Sequence, residues 1–262
     1  MLRLLFIGDI VGEAGCDAVG TLVPPLREEL GLDAVVANGE NSASGGRGIT
    51  PQTGNALLSK VDFLTLGNHA FDVEGGEEFL GEEKRVVRPA NMDSRLPGQG
   101  RGIFEVGNVQ IGVANVQGRV FMREDLPSPF VAADRAVSEL EDVGADLILV
   151  DIHGEATSEK QAIGYHLAGR AQAVVGTHTH VPTADARILS DTTAYITGAG
   201  MTGVFESIIG FDKEQFMRLF LEGELWPISP ARGASVLSGV LIEFDVDARR
   251  AVNIEYLRRE IG

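Results

Sequence analysis

Short apolar, β-branched runs alternate along the chain with stretches of helical periodicity. Leu2 to Ile7 predicts a strand, Asp17 to Leu30 a helix and Ala34 to Ala37 a second strand, which is the signature of a βαβ unit. Thr50 followed by Pro51 reads as an N-cap with proline at the first helical position, opening a helix to about Lys60 before a third strand at Asp62 to Leu66. Between Val86 and Val116 the pattern shortens. Ile103 to Val106 and Val109 to Val113, separated by Gly107-Asn108, predict a hairpin and antiparallel neighbours for the sheet. Helices are expected at Ala133 to Val143, at about Glu159 to Arg170 and near Lys213 to Glu222. Strands are expected at Asp146 to Asp151 and Ala173 to Val175, and a closing meander at Ser235 to Val246 and Ala251 to Arg258. The sum is an α/β fold: a mixed sheet, or two stacked mixed sheets, flanked by helices.

No linker, repeat or low-complexity tract divides residues 1–262, so one domain is expected. Every apolar run is broken well short of the about 18 residues that a membrane-spanning helix needs. Asp9 and Glu13 interrupt the apolar start where a signal peptide would continue, and no cleavage site follows. A single cysteine, Cys16, rules out an internal disulfide and a thiolate metal cluster, and a cytoplasmic location fits it best. The net charge of −16 argues against extended nucleic-acid binding and demands a local reversal of sign wherever a small anion is bound; metal ions supply one. The same acidity suits a monomer or a symmetric homo-oligomer.

Polar residues collect immediately after the predicted strands: Gly8-Asp9, Gly39-Glu40-Asn41, Gly67-Asn68-His69, Ile152-His153-Gly154 and Gly176-Thr177-His178-Thr179-His180. In open α/β sheets the carboxyl ends of strands form the ligand crevice, so these distant segments are expected to converge. Extended backbone would point His178 and His180 to one side and Thr179 away. Adjacent Asn68 and His69 should diverge, Asn68 toward a metal and His69 toward a substrate, while Glu40 has two oxygens with which to bridge two ions. Singly, each residue is an ordinary turn former, helix cap or structural histidine. Five strand ends carrying such residues together point to a metal site, whereas His166, inside a predicted helix, is read as structural. The Gly-rich stretch 42–48, with Arg47, lacks the Gly-Lys-Ser/Thr of a P-loop and is read as a flexible turn that could touch substrate. The stretch 198–203 is either a substrate wall or a tight turn.

In order and type, Gly8-Asp9, Gly67-Asn68-His69, His153 and Gly176-Thr177-His178-Thr179-His180 resemble the blocks of the calcineurin-like metallophosphoesterase superfamily. Gly8-Asp9-Ile10-Val11-Gly12, Gly39-Glu40-Asn41 and Gly198-Ala199-Gly200-Met201-Thr202-Gly203 narrow the resemblance to its YmdB-type branch, over essentially the whole chain. The chain departs from the wider superfamily in having Val11 where a histidine is common, Glu40 in place of a bridging aspartate and Ala70 after His69. The resemblance implies a calcineurin-like sandwich of stacked mixed sheets. It implies one metal held by Asp9, Glu40, Asn41 and His180 and a second by Glu40, Asn68, His153 and His178, in a dinuclear iron centre acting on 2′,3′-cyclic nucleotides. The ligand types also suit Mn or Zn. The mechanism expected is phosphodiester hydrolysis by two ions roughly 3.5 to 4 Å apart, through a bridging hydroxide, with His69 as proton donor to the leaving oxygen. Two other readings use the same ligands: a metal-dependent nucleotide sensor or scaffold with negligible turnover, and a phosphomonoesterase.

Overall fold

The computed structural model describes residues 1–223 and 227–261. Strand β1 (Leu2–Ile7) passes through Gly8 into the short β2 (Asp9–Ile10) and helix α1 (Gly12–Leu30), followed by β3 (Ala34–Asn38), α2 (Pro51–Leu58), β4 (Phe63–Thr65), α3 (Gly76–Glu82) and β5 (Val86–Val87). The hairpin β6 (Arg101–Val106) and β7 (Val109–Gln117) leads to α4 (Pro129–Asp142), β8 (Leu147–His153), α5 (Thr157–Leu167) and β9 (Ala173–Thr177). Three short strands, β10 (Arg187–Leu189), β11 (Thr193–Ile196) and β12 (Met201–Val204), precede α6 (Lys213–Glu222) and the meander β13 (Ser235–Asp245) and β14 (Arg250–Glu260).

Two sheets form. The first runs β2-β12-β13-β1-β3-β4-β5 with β14 also paired to β13, and the second runs β10-β11-β9-β8-β7-β6. Both are mixed: β1, β3, β4 and β5 are mutually parallel while β13 lies antiparallel to β1, and β7, β8, β9 and β11 are parallel while β6 and β10 are antiparallel edges.

Strand periodicity builds three apolar layers. Leu4 and Phe6 of β1 and Val36 of β3 point into the space between the sheets, where they meet Val113, Leu149 and Val175 of the second sheet and Phe244 of β13. Their alternates Leu5, Ile7 and Val35 pack outward against Val19, Val23 and Leu26 of α1. On the far side Ile148, Val150 and Val174 pack against Val137 and Leu140 of α4 and Ile163 of α5. Both faces of the central strands are buried, which is why these strands read as nearly continuous apolar runs.

Two helices start earlier than periodicity predicts. Helix α1 begins at Gly12 and not at Asp17, the expected start, since Gly12 and Gly15 read as helix breakers in sequence. A Cβ at Gly15 would lie 2.5 Å from Thr202 O, so the close approach of α1 to β12 demands glycine there, and packing overrides propensity. Helix α4 starts at Pro129, at the first helical position after Ser128. No helix among the described residues is long and apolar enough to cross a membrane.

Phe244 lies in the inter-sheet layer with 2% exposure, at the end of β13 remote from the strand ends that carry Asp9 and Glu40. Phe244→Ala is expected to destabilise the protein by roughly 3–5 kcal/mol in denaturant titrations. A loss below about 1 kcal/mol would contradict this account of the core.

Candidate metal centre

The carboxyl ends of β1, β3 and β4 in the first sheet and of β8 and β9 in the second open onto one crevice. Asp9, Glu40, Asn41, His153 and His180 are almost fully buried there, and Asn68, His69 and His178 are half-buried at its rim.

His153 Nε2 is the centre of the first group. It lies 3.0 Å from Glu40 Oε1, 3.1 Å from Asn68 Oδ1 and 3.1 Å from His178 Nδ1. Its other ring nitrogen, Nδ1, is 2.9 Å from the Thr177 hydroxyl, which donates its only proton to Asp151 Oδ1 at 2.6 Å. The hydroxyl therefore accepts from Nδ1–H, and Nε2 is left to face three lone-pair donors. The second group gathers around His180, whose Nδ1–H donates to Ile209 O at 2.7 Å and whose Nε2 lies 3.2 Å from Asn41 Oδ1 and 4.0 Å from Asp9 Oδ1. The Asn41 amide nitrogen donates to Gly46 O, which turns its oxygen toward His180.

Burial opposes ionisation of Glu40, but the adjacent His153 charge and hydrogen bond outweigh it and hold the carboxyl down at about 2. Burial likewise opposes a charged His153, and Glu40 and Asp9 reverse this, raising it to about 9. Burial and the neighbouring His153 charge push His178 down to about 3. The crevice thus draws positive charge, yet a proton on His153 Nε2 satisfies only one of the three acceptors about 3 Å away. A metal cation would engage all of them, and Glu40, His153 and His178 offer ligand atoms within 4.8 Å of one another. The donor set of oxygens and imidazoles fits such an ion.

The turn after β9 is not extended. His178 and His180 both have left-handed backbone, with φ of 86° and 60°, so they reach different groups: His178 turns to His153 and His180 to Asn41. Period-2 reasoning failed here because β9 ends at Thr177. Lys160, in α5 and 1% exposed, holds this turn from beneath, donating from Nζ to Thr177 O at 3.0 Å and reaching Thr179 Oγ1 at 3.4 Å. Its helical context gave no sign of that task. Asp151 was also missed. Burial raises its carboxyl to about 6, although it accepts from Thr177, Thr65 and Asn38 and so braces the first group.

His69 donates its backbone N–H to Glu40 Oε2 at 3.1 Å, while its ring Nδ1 lies 2.6 Å from Asp72 Oδ2 and the ring lines the open cleft. Asp72, three residues after His69, was missed by the sequence reading. His166 stands apart, paired with Asp134 on the surface.

The two glycine-rich stretches also differ from their sequence reading. The 42–48 turn is packed, pinned by Asn41 Nδ2 to Gly46 O and by Ala43 N to Gly48 O, and it presents Arg47 to the cavities on both sides of His69. The 198–203 stretch is a backing for Asp9. Gly200 O accepts from Asp9 N, and β12 runs parallel to β2.

The model of the YmdB-like protein family matches residues 5–257. The chain belongs to the YmdB-like family. A relative from Bacillus subtilis (strain 168), a 2′,3′-cyclic-nucleotide 2′-phosphodiesterase, is 42% identical over 97% of this chain and 96% of its own. The crystal structure of a hypothetical protein from Thermus thermophilus is 42% identical and superposes with a TM-score of 0.92, covering 100% of both chains. The fold alone extends to the 5′-nucleotidase precursor from the same organism, 16% identical, TM-score 0.58, over 99% of this chain and 54% of that one. The YmdB-like chain accordingly shares its two-sheet fold with that nucleotidase, and the polar blocks at its strand ends are the walls of this crevice.

Gly67 sits at the tightest point of the centre. A Cβ there would lie 2.3 Å from both Glu40 Oε2 and His153 Nε2. Gly67→Ala is expected to lose bound metal, by elemental analysis, while far-UV circular dichroism stays that of the wild type. Full metal content in a folded variant would contradict the geometry.

Proposed function

We propose that the chain hydrolyses 2′,3′-cyclic nucleotides as a dinuclear phosphodiesterase. One ion would be held by Asp9, Glu40, Asn41 and His180 and the other by Glu40, Asn68, His153 and His178, Glu40 contributing to both. Iron is the favoured metal, with Mn or Zn compatible with the same donors. The observation that carries this reading is the pair of acceptor groups, one around His153 Nε2 and one around His180 Nε2, with the Glu40 carboxylate in the first of them. The activity of the B. subtilis relative supports the substrate class. When bound, the ions would supply positive charge to offset the phosphate and a water made nucleophilic at neutral pH.

The chain's own residues do the rest. Asp72 fixes the His69 ring through Nδ1, leaving Nε2 to carry the proton that the departing ribose oxygen takes as the phosphorus–oxygen bond breaks. The His69 amide bonded to Glu40 Oε2 ties that acid to the shared ligand, so donor and ligand keep their spacing. Arg47 has no carboxylate partner within 4.0 Å among the described residues and offers its charge to the incoming phosphate, against the repulsion of a chain carrying −16 overall.

His69→Ala is expected to retain its metal and to lose about 10²–10⁴-fold in turnover of 2′,3′-cyclic AMP. Asp72→Asn should give a smaller loss in the same assay. A wild-type rate in His69→Ala, or loss of its metal, would remove His69 from the acid role.

A further inference from the structure

The cleft over the metal centre has a second wall that the hydrolytic chemistry leaves unused. The cavity measures about 350 Å³, within the range of about 300–1,000 Å³ typical of small-ligand sites. Glu40, Asn41, His69, His178 and His180 line it together with the apolar Ile209, Phe211, Phe216 and Ile228. These apolar residues belong to none of the three layers that hold the sheets together. Phe211 instead centres a small separate cluster with Val11 and Met201, against which Phe216 and Ile228 are only partly buried.

Three details show a wall that is held in place. Phe211 lies nearly parallel to the His180 ring, at 13° with centroids 6.4 Å apart, and is locked from behind by Gly46, where a Cβ would come within 2.6 Å of its ring. Phe216 meets Phe211 edge-on at 6.0 Å and is half-buried, although α6 buries none of its residues fully. Ile209 has φ of 48°, a left-handed conformation that a β-branched residue rarely adopts. In that conformation its carbonyl receives the His180 Nδ1 proton while its side chain, 39% exposed, lines the cleft. Strain of this kind persists where surrounding structure enforces it, typically at ligand sites.

Resting on the cyclic-nucleotide reading above, we propose that this wall is a nucleobase subsite, with Phe216 the stacking platform and Ile209 and Ile228 closing over the base. In a 2′,3′-cyclic nucleotide the base hangs from the ribose carbon next to the one bearing the 2′-oxygen. A phosphate among Glu40, His178 and His180 therefore leaves the base within the same cavity, which these apolar side chains also line. Stacking on an aromatic face favours any base over none and discriminates little among bases, because every base has a π-face. The apolar side chains of this wall offer no donor or acceptor that would read a base edge, so stacking on them accepts all four bases, the larger purines with lower KM, and selection among bases falls to Arg47, Glu155 and Thr179 of the same cavity.

The test compares 2′,3′-cyclic AMP with glycerol 1,2-cyclic phosphate, which carries the same strained ring ester without a base, on the metal-loaded protein. The wild type should favour the nucleotide by about tenfold or more in kcat/KM, mostly through KM, consistent with the stacking of one base. Phe216→Ala should bring the two substrates within about threefold of each other, and Phe216→Tyr should restore the preference. Equal use of both substrates by the wild type, or an undiminished preference in Phe216→Ala, would overturn the subsite while leaving the phosphodiesterase reading intact. If neither ester is hydrolysed, that reading fails, and calorimetric binding decides the subsite. Tighter binding of 3′-AMP than of ribose 5-phosphate, lost in Phe216→Ala, would support it, and equal binding would overturn it.

Discussion

Three lone-pair donors within about 3 Å of one histidine nitrogen cannot all be satisfied by a single proton, and the surrounding structure follows from that constraint. His153 Nε2 faces Glu40, Asn68 and His178 together. Burying such groups without a partner costs free energy, so the arrangement is stable only around positive charge. The Asp151–Thr177 pair keeps the proton of His153 on the far side of its ring, which is the device by which metal-binding histidines are commonly oriented. The centre is therefore built to prefer a cation over the proton that takes its place.

Much of the fold serves to bring those donors together. Parallel strands from two different sheets end on the same side, so neither sheet alone contains the centre. The approach is close enough that side chains must be absent at key points. Gly67 leaves room for Glu40 and His153, and Gly8 lets β1 pass the carbonyl of Gly200, to which an added Cβ would come within 2.0 Å. Where strand geometry cannot aim the ligands, the chain accepts left-handed backbone at His178 and His180, and Lys160 braces the turn between them. The same economy extends to the apolar wall, where the strained Ile209 serves His180 with its carbonyl and the cleft with its side chain.

The alternation of strands and helices was legible in the sequence because strands buried on both faces read as short apolar runs, and β1, β3, β8, β9 and α6 lie close to where periodicity puts them. The clustering of polar residues after strand ends was legible for the same reason, since it depends only on where strands stop. What escaped was whatever depends on contacts between distant segments. The early start of α1 at Gly12 reflects packing on β12, and the backing role of 198–203 reflects pairing with β2. Local sequence carries no trace of either. Asp72, Asp151 and Lys160 were missed because an acid in a turn, an acid in a strand and a lysine in a helix are ordinary until their partners are known. The left-handed turn at His178 to His180 defeated a rule that holds only while the backbone stays extended.

The proposed function depends on the two acceptor groups acting as two ion sites. The most direct measurement is the metal content per chain of anaerobically purified protein, by elemental analysis, with hydrolysis of 2′,3′-cyclic AMP followed on the same sample through chelation and reloading. Near two ions per chain, with activity lost and regained in step with them, is the predicted result. A single ion supporting full turnover, or full turnover by metal-free protein, would contradict it.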